Sequence, residues 1–306
     1  MIGPSGIRAL PTAEPELELA PRAGESYWRE SWRRLQSNRI SMFCGGVILC
    51  IAVVAVCAPL ISGSVTHYSY SAQDLTNLFQ PPRSPHVLGT DELGRDTLTR
   101  LVYGAQVSLT VGFLTVLLSL LVGGSIGLVA GYYGGWIDNL LMRLVDVLLS
   151  IPSIFLFILL SVLLRPNAIT LSFIIALVGW GNVCRLVRAE ALSLKTRDFV
   201  IATRSIGAGD LRLIGRHLLP NALPVMIVAA SLAVGQIILV ESALSYLGLG
   251  IQPPTPSWGN MLSSAQQYFY RSAWLVILPG ICIFVTVLCT SIFGNAVRDS
   301  FDPRLR

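Results

Sequence analysis

The chain has 306 residues, of which 53% are apolar and only 13% charged, and it carries a formal charge of +5. Soluble globular domains are about a quarter charged, so this composition, with a mean hydropathy of +0.65, excludes an ordinary soluble enzyme. It leaves a protein that crosses a membrane many times.

Residues 1–26 are rich in Pro and Glu and read as a disordered tail. Residues 27–40 read as an interfacial amphipathic helix, with Trp28, Trp32 and Leu35 on one face and arginines on the other. Charge-free windows then run over 40–73, 101–137, 147–164, 166–184, 217–240 and 272–297. Each has room for a span of about 20 residues, which places six membrane helices at 41–61, 106–130, 140–163, 168–188, 222–246 and 274–295. The first is not read as a cleavable signal sequence, because it follows a leader and lacks a small-residue cleavage site. Another charge-free window, 242–270, is rich in Gly, Pro, Ser and Gln and reads as a loop. The organisation is then an outer loop over 62–104, a membrane core over 105–295 and a cytoplasmic tail over 296–306.

With both termini in the cytoplasm, 17 of the basic residues fall inside and five (Arg83, Arg95, Arg100, Arg165 and Arg271) fall outside. This is a strong positive-inside bias. The basic pI of about 9.0 therefore reports topology, and no nucleic-acid partner is expected.

In the outer loop, Thr90 is placed to N-cap a surface helix with Asp91 and Glu92 in its first turn. Asp91/Arg95 and Asp96/Arg100 have the spacing of intrahelical ion pairs. Within the second span, Ser119, Gly123, Gly127 and Gly131 recur every fourth residue and predict close helix packing. Arg143 and Asp146 are spaced to neutralise each other near the inner end of the third span. Glu241, near the outer end of the fifth, has no local partner and is a candidate for the translocation pathway or for reaching the interface. Pro253, Pro254 and Pro256 forbid a regular helix in the loop after it, where Trp258 suits a membrane interface. The six cysteines lie scattered in apolar spans and the three histidines form no cluster, so neither metal nor cofactor is expected.

Residues 198–220 stand apart, being polar, basic and Gly-punctuated between two apolar runs. Asp198 can N-cap a short helix that ends at Gly207. Asp210 can cap a second, with Leu211, Ile214 and Leu218 on one face and Arg212 and Arg216 on another. Two short helices hinged at Gly207-Ala208-Gly209 make a knuckle at the membrane surface, a shape with no use in lipid unless something docks on it.

The spacing of Ala202, Gly207 and Leu219-Pro220 resembles the EAA loop of bacterial ABC importer permeases. Glu190-Ala191 does not fit, because its register puts Thr196 at the Gly position and Gly209 at the Pro position. Ile201 stands where that family has Glu, Thr203 where it has a second Ala, and His217 where it has Ile. The strings L-G-T-D-E-L-G-R-D-T-L-T-R-L-V-Y-G-A before the second span and L-G-L-G-I-Q-P-P-T-P-S-W-G-N-M-L at 247–262 are similar to the dipeptide, oligopeptide and nickel branch. The chain is thereby identified as a C-type permease of that branch, the resemblance running from Trp28 to Arg306. It implies an all-α type I permease fold of six membrane helices. It further implies a homologous permease subunit, two ATPase subunits and an extracytoplasmic binding protein as partners, with short peptides ahead of nickel chelates as cargo. Ile201, Ala202, Thr203, Gly207, Ala208, Leu219 and Pro220 then become the residues that couple to the ATPases.

The residues also argue against ATP chemistry on this chain. A P-loop needs Gly-Lys-Ser/Thr, and the single lysine, Lys195, follows Leu194. The rival readings are a self-sufficient secondary transporter or channel, which often shows internal repeats or charged relays, and a non-transporting scaffold for an ATPase.

Overall fold

The computed structural model describes residues 27–301, so the expected disordered tail and residues 302–306 lie outside the described residues. Helices α1 (Tyr27–Ser37) and α2 (Arg39–Val56) meet at Asn38, whose side chain accepts from the Ser41 N–H at 3.2 Å and caps α2. Leu35 buries against Ala296 and Val297, whereas Trp32 points outward, so the expected apolar face of α1 is split. The Trp28 side chain lies outside the described residues.

The first span is not one helix to residue 61. Pro59 has no N–H to give the Ala55 carbonyl, and the chain breaks at Cys57 into α3 (Ala58–Ile61) and a π turn over Ser62–Thr66. The loop after it contains no helix over 90–96. Gly89 and Gly94 take positive φ, and the Asp91 carboxylate gathers the Leu93 and Arg95 N–H groups, each at 2.9 Å, together with Arg95 Nε at 2.7 Å. Arg100 turns to Asp91 at 3.3 Å rather than to Asp96. Asp96 receives the Thr99 N–H at 2.8 Å and bonds His86 Nδ1 at 3.0 Å. The acid–base spacing read as a surface helix is therefore a buried charge knot that caps the next helix.

That helix, α4 (Thr97–Tyr133), crosses the whole membrane and beyond, well past the expected 106–130. The third span is bent. Helices α5 (Gly135–Ser150) and α6 (Ser153–Leu164) meet at 80°. Ile151 precedes Pro152 and is pushed into an extended conformation with ψ 124°. Five further units follow before the last span: α7 (Ala168–Leu194), α8 (Asp198–Ser205), α9 (Asp210–Leu213), α10 (Leu219–Tyr246) and α11 (Trp258–Ala265). The chain closes on α12 (Trp274–Phe301). Counting the bent pair as one span gives six crossings, and no β-strand occurs among the described residues.

The window 242–270 is thus part helix. Ser257 and Asn260 form a reciprocal capping box for α11. Trp258 is only 1% exposed and donates Nε1–H to the Leu101 carbonyl at 3.1 Å, so it is a packing residue and not an interfacial one.

The most extensive contact in the fold joins α4 to α7. A Cβ on Gly123 would sit 2.4 Å from the Trp180 carbonyl oxygen, and one on Gly127 2.6 Å from that of Cys184. At Gly131 it would meet the Ala191 Cβ at 2.6 Å. Beyond this seam α5 is tied to α7 by Arg188, whose guanidinium grips both Asp138 oxygens at 2.5 and 2.6 Å. Asp146 pairs with Arg185 of α7 at 2.6 Å and not with Arg143, because a neighbouring helix offers the better-aligned cation.

The α1–α12 contact and the Lys195 Nζ bond to the Gly131 carbonyl, 2.9 Å, put both described termini and residues 195–218 at one end of the bundle. Loop 67–96 and α11 occupy the other.

Gly127→Ala should force α4 and α7 apart and cost about 1–3 kcal/mol. Gly46→Ala, where a Cβ meets nothing within 4 Å, should be neutral or slightly stabilising. Thermal unfolding of the detergent-solubilised chain checks the pair, and equal effects would contradict the packing argument.

Candidate functional site: a surface knuckle joined to a membrane cavity

Helix α8 begins with Arg197 in the cap position and Asp198 as its first residue, one step from the expected cap. Its end is a Schellman turn. The Gly207 N–H donates to the Arg204 carbonyl at 3.0 Å and the Ala208 N–H to that of Thr203 at 3.3 Å, with Gly207 at φ +86°. Gly209 then caps α9, and Asp210 accepts a hydrogen bond from the Tyr132 hydroxyl at 2.6 Å.

Helix α9 does not end in a break. One π turn, Ile214–Leu218, carries it into α10, where Pro220 occupies the first turn. Proline has no N–H for the Arg216 carbonyl, which suits a wider turn at this place. The extra residue shifts the helical register. Leu213 and Leu218, on either side of the π turn, are both buried, while Leu211, expected on one face with Ile214 and Leu218, is 86% exposed.

The knuckle has a root and a tip. Val200, Leu213 and Leu218 sink into one apolar cluster with Leu128 and Tyr132 of α4, Val187, Ala191 and Leu194 of α7, and Ala222 and Met226 of α10. Ile201 at 52%, Ile206 at 85% and Leu211 remain exposed on the opposite side. Ala202 and Pro220 are exposed, and Thr203, Ala208 and Leu219 half-buried. The Thr203 hydroxyl bonds back to the Phe199 carbonyl at 2.7 Å. A cleft of about 430 Å³ opens beside α8, with Ile201, Arg204 and Lys195 on its wall. The Arg204 guanidinium lies 5.8 Å over the Tyr132 ring.

The three rooting helices α4, α7 and α10, with the bent pair α5–α6, also line a half-open cavity of about 460 Å³ along the membrane-length helices. Its wall is apolar apart from Thr115, Ser119, Ser153, Asn182, Gly179 and Gln236. Glu241 is not on it. That carboxylate is fully buried between α4 and α10, where Ser108 and Ser245 each donate a hydrogen bond at 2.8 Å and Ser242 a longer one at 3.4 Å. It reaches neither the cavity nor the interface, because the serines that satisfy it come from its own helix and α4. Sequence reasoning overlooked Asn182 and Gln236, whose signal was a lone amide in each of the expected spans 168–188 and 222–246.

A bundle of membrane-length helices around a cavity, with a surface knuckle rooted in the same helices, has the make-up of a membrane transport subunit. Residues 123–306 match the family described as binding-protein-dependent transport system inner membrane component, and residues 26–82 match the N-terminal TM domain of oligopeptide transport permease C. The chain belongs to that inner-membrane component family, and it is a permease subunit of an ABC importer. It is 40% identical over 308 residues to the di/tripeptide transport system permease protein DppC of Pseudomonas aeruginosa, covering 99% of both chains. The dipeptide transport system permease protein DppC of Alkalihalophilus pseudofirmus is 39% identical over 97% of this chain and 98% of its own. The glutathione transport system permease protein GsiD of Pectobacterium atrosepticum is 35% identical, covering 91% and 92%. In fold, 66% of the chain superposes on 97% of a chain of the inward-facing MetNI methionine ABC transporter, with TM-score 0.52 and 20% identity.

At Gly207 a Cβ would meet nothing within 4 Å, so substitution there costs backbone strain alone, about 1–2 kcal/mol for a residue with a Cβ. Gly207→Val should therefore lower ATPase co-purification or uncouple hydrolysis from uptake while the spans still insert. Gly207→Asn, which tolerates the left-handed region, should be milder. Wild-type assembly and uptake in Gly207→Val would remove the coupling role from this loop.

Proposed function

We propose that the chain is the C-type permease of a peptide importer. It pairs with a homologous permease, rests on two ATPase subunits through residues 198–220, and receives short peptides from an extracytoplasmic binding protein. The observation that carries this reading is that the knuckle is rooted in α4, α7 and α10, the helices that line the membrane cavity. Push on the exposed Leu211 is delivered along continuous helix into α10, and push on Ile201 reaches the same cavity-lining helices through the buried Val200 beside it, which is what alternating access driven from outside the membrane needs. Ile201 in place of the family's Glu makes this contact apolar and removes an ion pair from it. The peptide cargo is supported by the peptide permeases that match almost the full chain.

The knuckle and both termini then face the cytoplasm, and loop 67–96 with α11 faces outward. Fusion reporters placed after Arg306 and at Lys195 should report one side of the membrane and a reporter at His86 the other. Lys195 and His86 on the same side would overturn the orientation.

Because the single lysine lies outside any P-loop pattern, hydrolysis belongs to the partner chains. The purified chain alone should hydrolyse no ATP. The complete complex in proteoliposomes should take up di- and tripeptides only with ATP and binding protein present. Sustained ATPase activity by the isolated chain, or a complete complex that moves no peptide, would refute this function.

A further inference from the structure

The membrane cavity holds two side-chain amides with nothing to bond. Asn182 of α7 and Gln236 of α10 both line it, both are exposed, and neither has a side-chain hydrogen-bond partner among the described residues. Several other polar groups of the bundle are paired. Glu241 is satisfied by serines, Asp138 by Arg188, and the Thr115 hydroxyl by the Ser172 carbonyl at 3.3 Å. An amide left facing hydrocarbon is strongly disfavoured, since lipid offers no donor or acceptor. Two such amides on one cavity wall therefore need water or a polar ligand opposite them.

We propose that Asn182 and Gln236 form a subsite that reads the backbone amides of the transported peptide. This rests on the peptide-importer reading above. Each side chain offers a carbonyl acceptor and an NH₂ donor, and a peptide bond presents the complementary pair. The remaining wall is leucine, isoleucine, valine, alanine and Phe157 with Gly179 and the hydroxyl residues Thr115, Ser119 and Ser153, and no Asp, Glu, Lys, Arg, His or Cys on it. Such a wall discriminates neither side-chain charge nor metal, and a metal chelate finds no ligating group there. What every short peptide shares is its backbone, and these two amides are the groups on the wall that offer an acceptor and an NH₂ donor in the fixed arrangement a peptide bond complements, beside the single hydroxyls of Ser119 and Ser153. The cavity of about 460 Å³ falls in the range of ligand pockets, ~300–1,000 Å³. At ~30 Å³ per water it can also hold on the order of fifteen waters, enough to keep charged peptide termini hydrated.

The test uses the complete importer in proteoliposomes, comparing trialanine with an analogue N-methylated at both peptide bonds, which removes their donors. Using one binding protein throughout makes its own preference cancel between permease variants. The wild type should favour the unmethylated peptide, and the Asn182→Leu/Gln236→Met double variant should lose most of that preference. Trialanine uptake per assembled complex should fall about ten-fold. A wild-type complex that transports trialanine, with the double variant keeping both its rate and its preference, would overturn the subsite and leave the peptide-importer reading standing. A wild-type complex that moves no peptide would remove the reading itself.

Should the double variant fail to assemble, Asn182→Cys and Gln236→Cys in a background without the native cysteines give a second readout. A membrane-impermeant thiol reagent should label both positions, and trialanine under transport conditions should slow the labelling. Positions that stay unlabelled, or whose labelling ignores the peptide, belong to lipid or to a subunit interface, and the proposal fails.

Discussion

Direct backbone contact between α4 and α7 is the constraint on which the other arrangements depend. Gly123, Gly127 and Gly131 leave α4 without a Cβ at three successive turns of the seam, so carbonyls of α7 lie against the α4 backbone itself. Van der Waals packing of this kind is the main attraction available between helices in lipid, where no hydrophobic driving force acts. Once the seam is fixed, Tyr132 stands one residue past it and reaches Asp210, and Lys195 caps the Gly131 carbonyl from the end of α7. Arg188, on the same stretch of α7, holds Asp138 and so sets where α5 begins. The position of the knuckle and that of the bent span both follow from one seam of small residues.

The second organising rule is that lipid leaves few polar groups without a partner. Glu241 is sunk among three serines, and Ser245 also accepts the Ile251 N–H at 3.1 Å, which ties the Pro-rich loop to the top of α10. At the same end, the Asp91 knot gathers two arginines and two backbone N–H groups. Among the hydroxyls, Thr97 and Ser161 are the buried side-chain oxygens without a partner among the described residues. Against this economy the unpaired amides of the cavity are conspicuous.

Much of this was legible in the residues. Hydrophobic length located every crossing, and the Asp-Gly-Asp-Pro punctuation of 198–220 gave the knuckle, including the left-handed Gly207. The failures share one cause, which is that local spacing does not decide between partners. Asp91 and Arg95 are as well spaced for a turn closed by Gly94 as for a helix, and the two glycines at positive φ chose the turn. Asp146 had Arg143 at hand but took Arg185 from α7, information that exists only after folding. Glu241 looked to lack a local partner although Ser245, one turn along its own helix, donates to it at 2.8 Å, and its other close donor, Ser108, lies 133 residues away in the chain. The bend at Ile151-Pro152 is a different matter: its signal was present, and the uninterrupted apolar run concealed it.

The π turn at Ile214–Leu218 makes the tip of the knuckle and the cavity wall two ends of one rod. Leu211 and Gln236 are joined by uninterrupted helix, so their angular relation is fixed by the number of residues between them. Inserting or deleting one residue would turn the tip by about 100° relative to the wall, while leaving composition, charge and hydropathy almost untouched. Length between these two points is therefore a heritable property in its own right, held by the geometry of a shaft whose two ends must face different molecules at once.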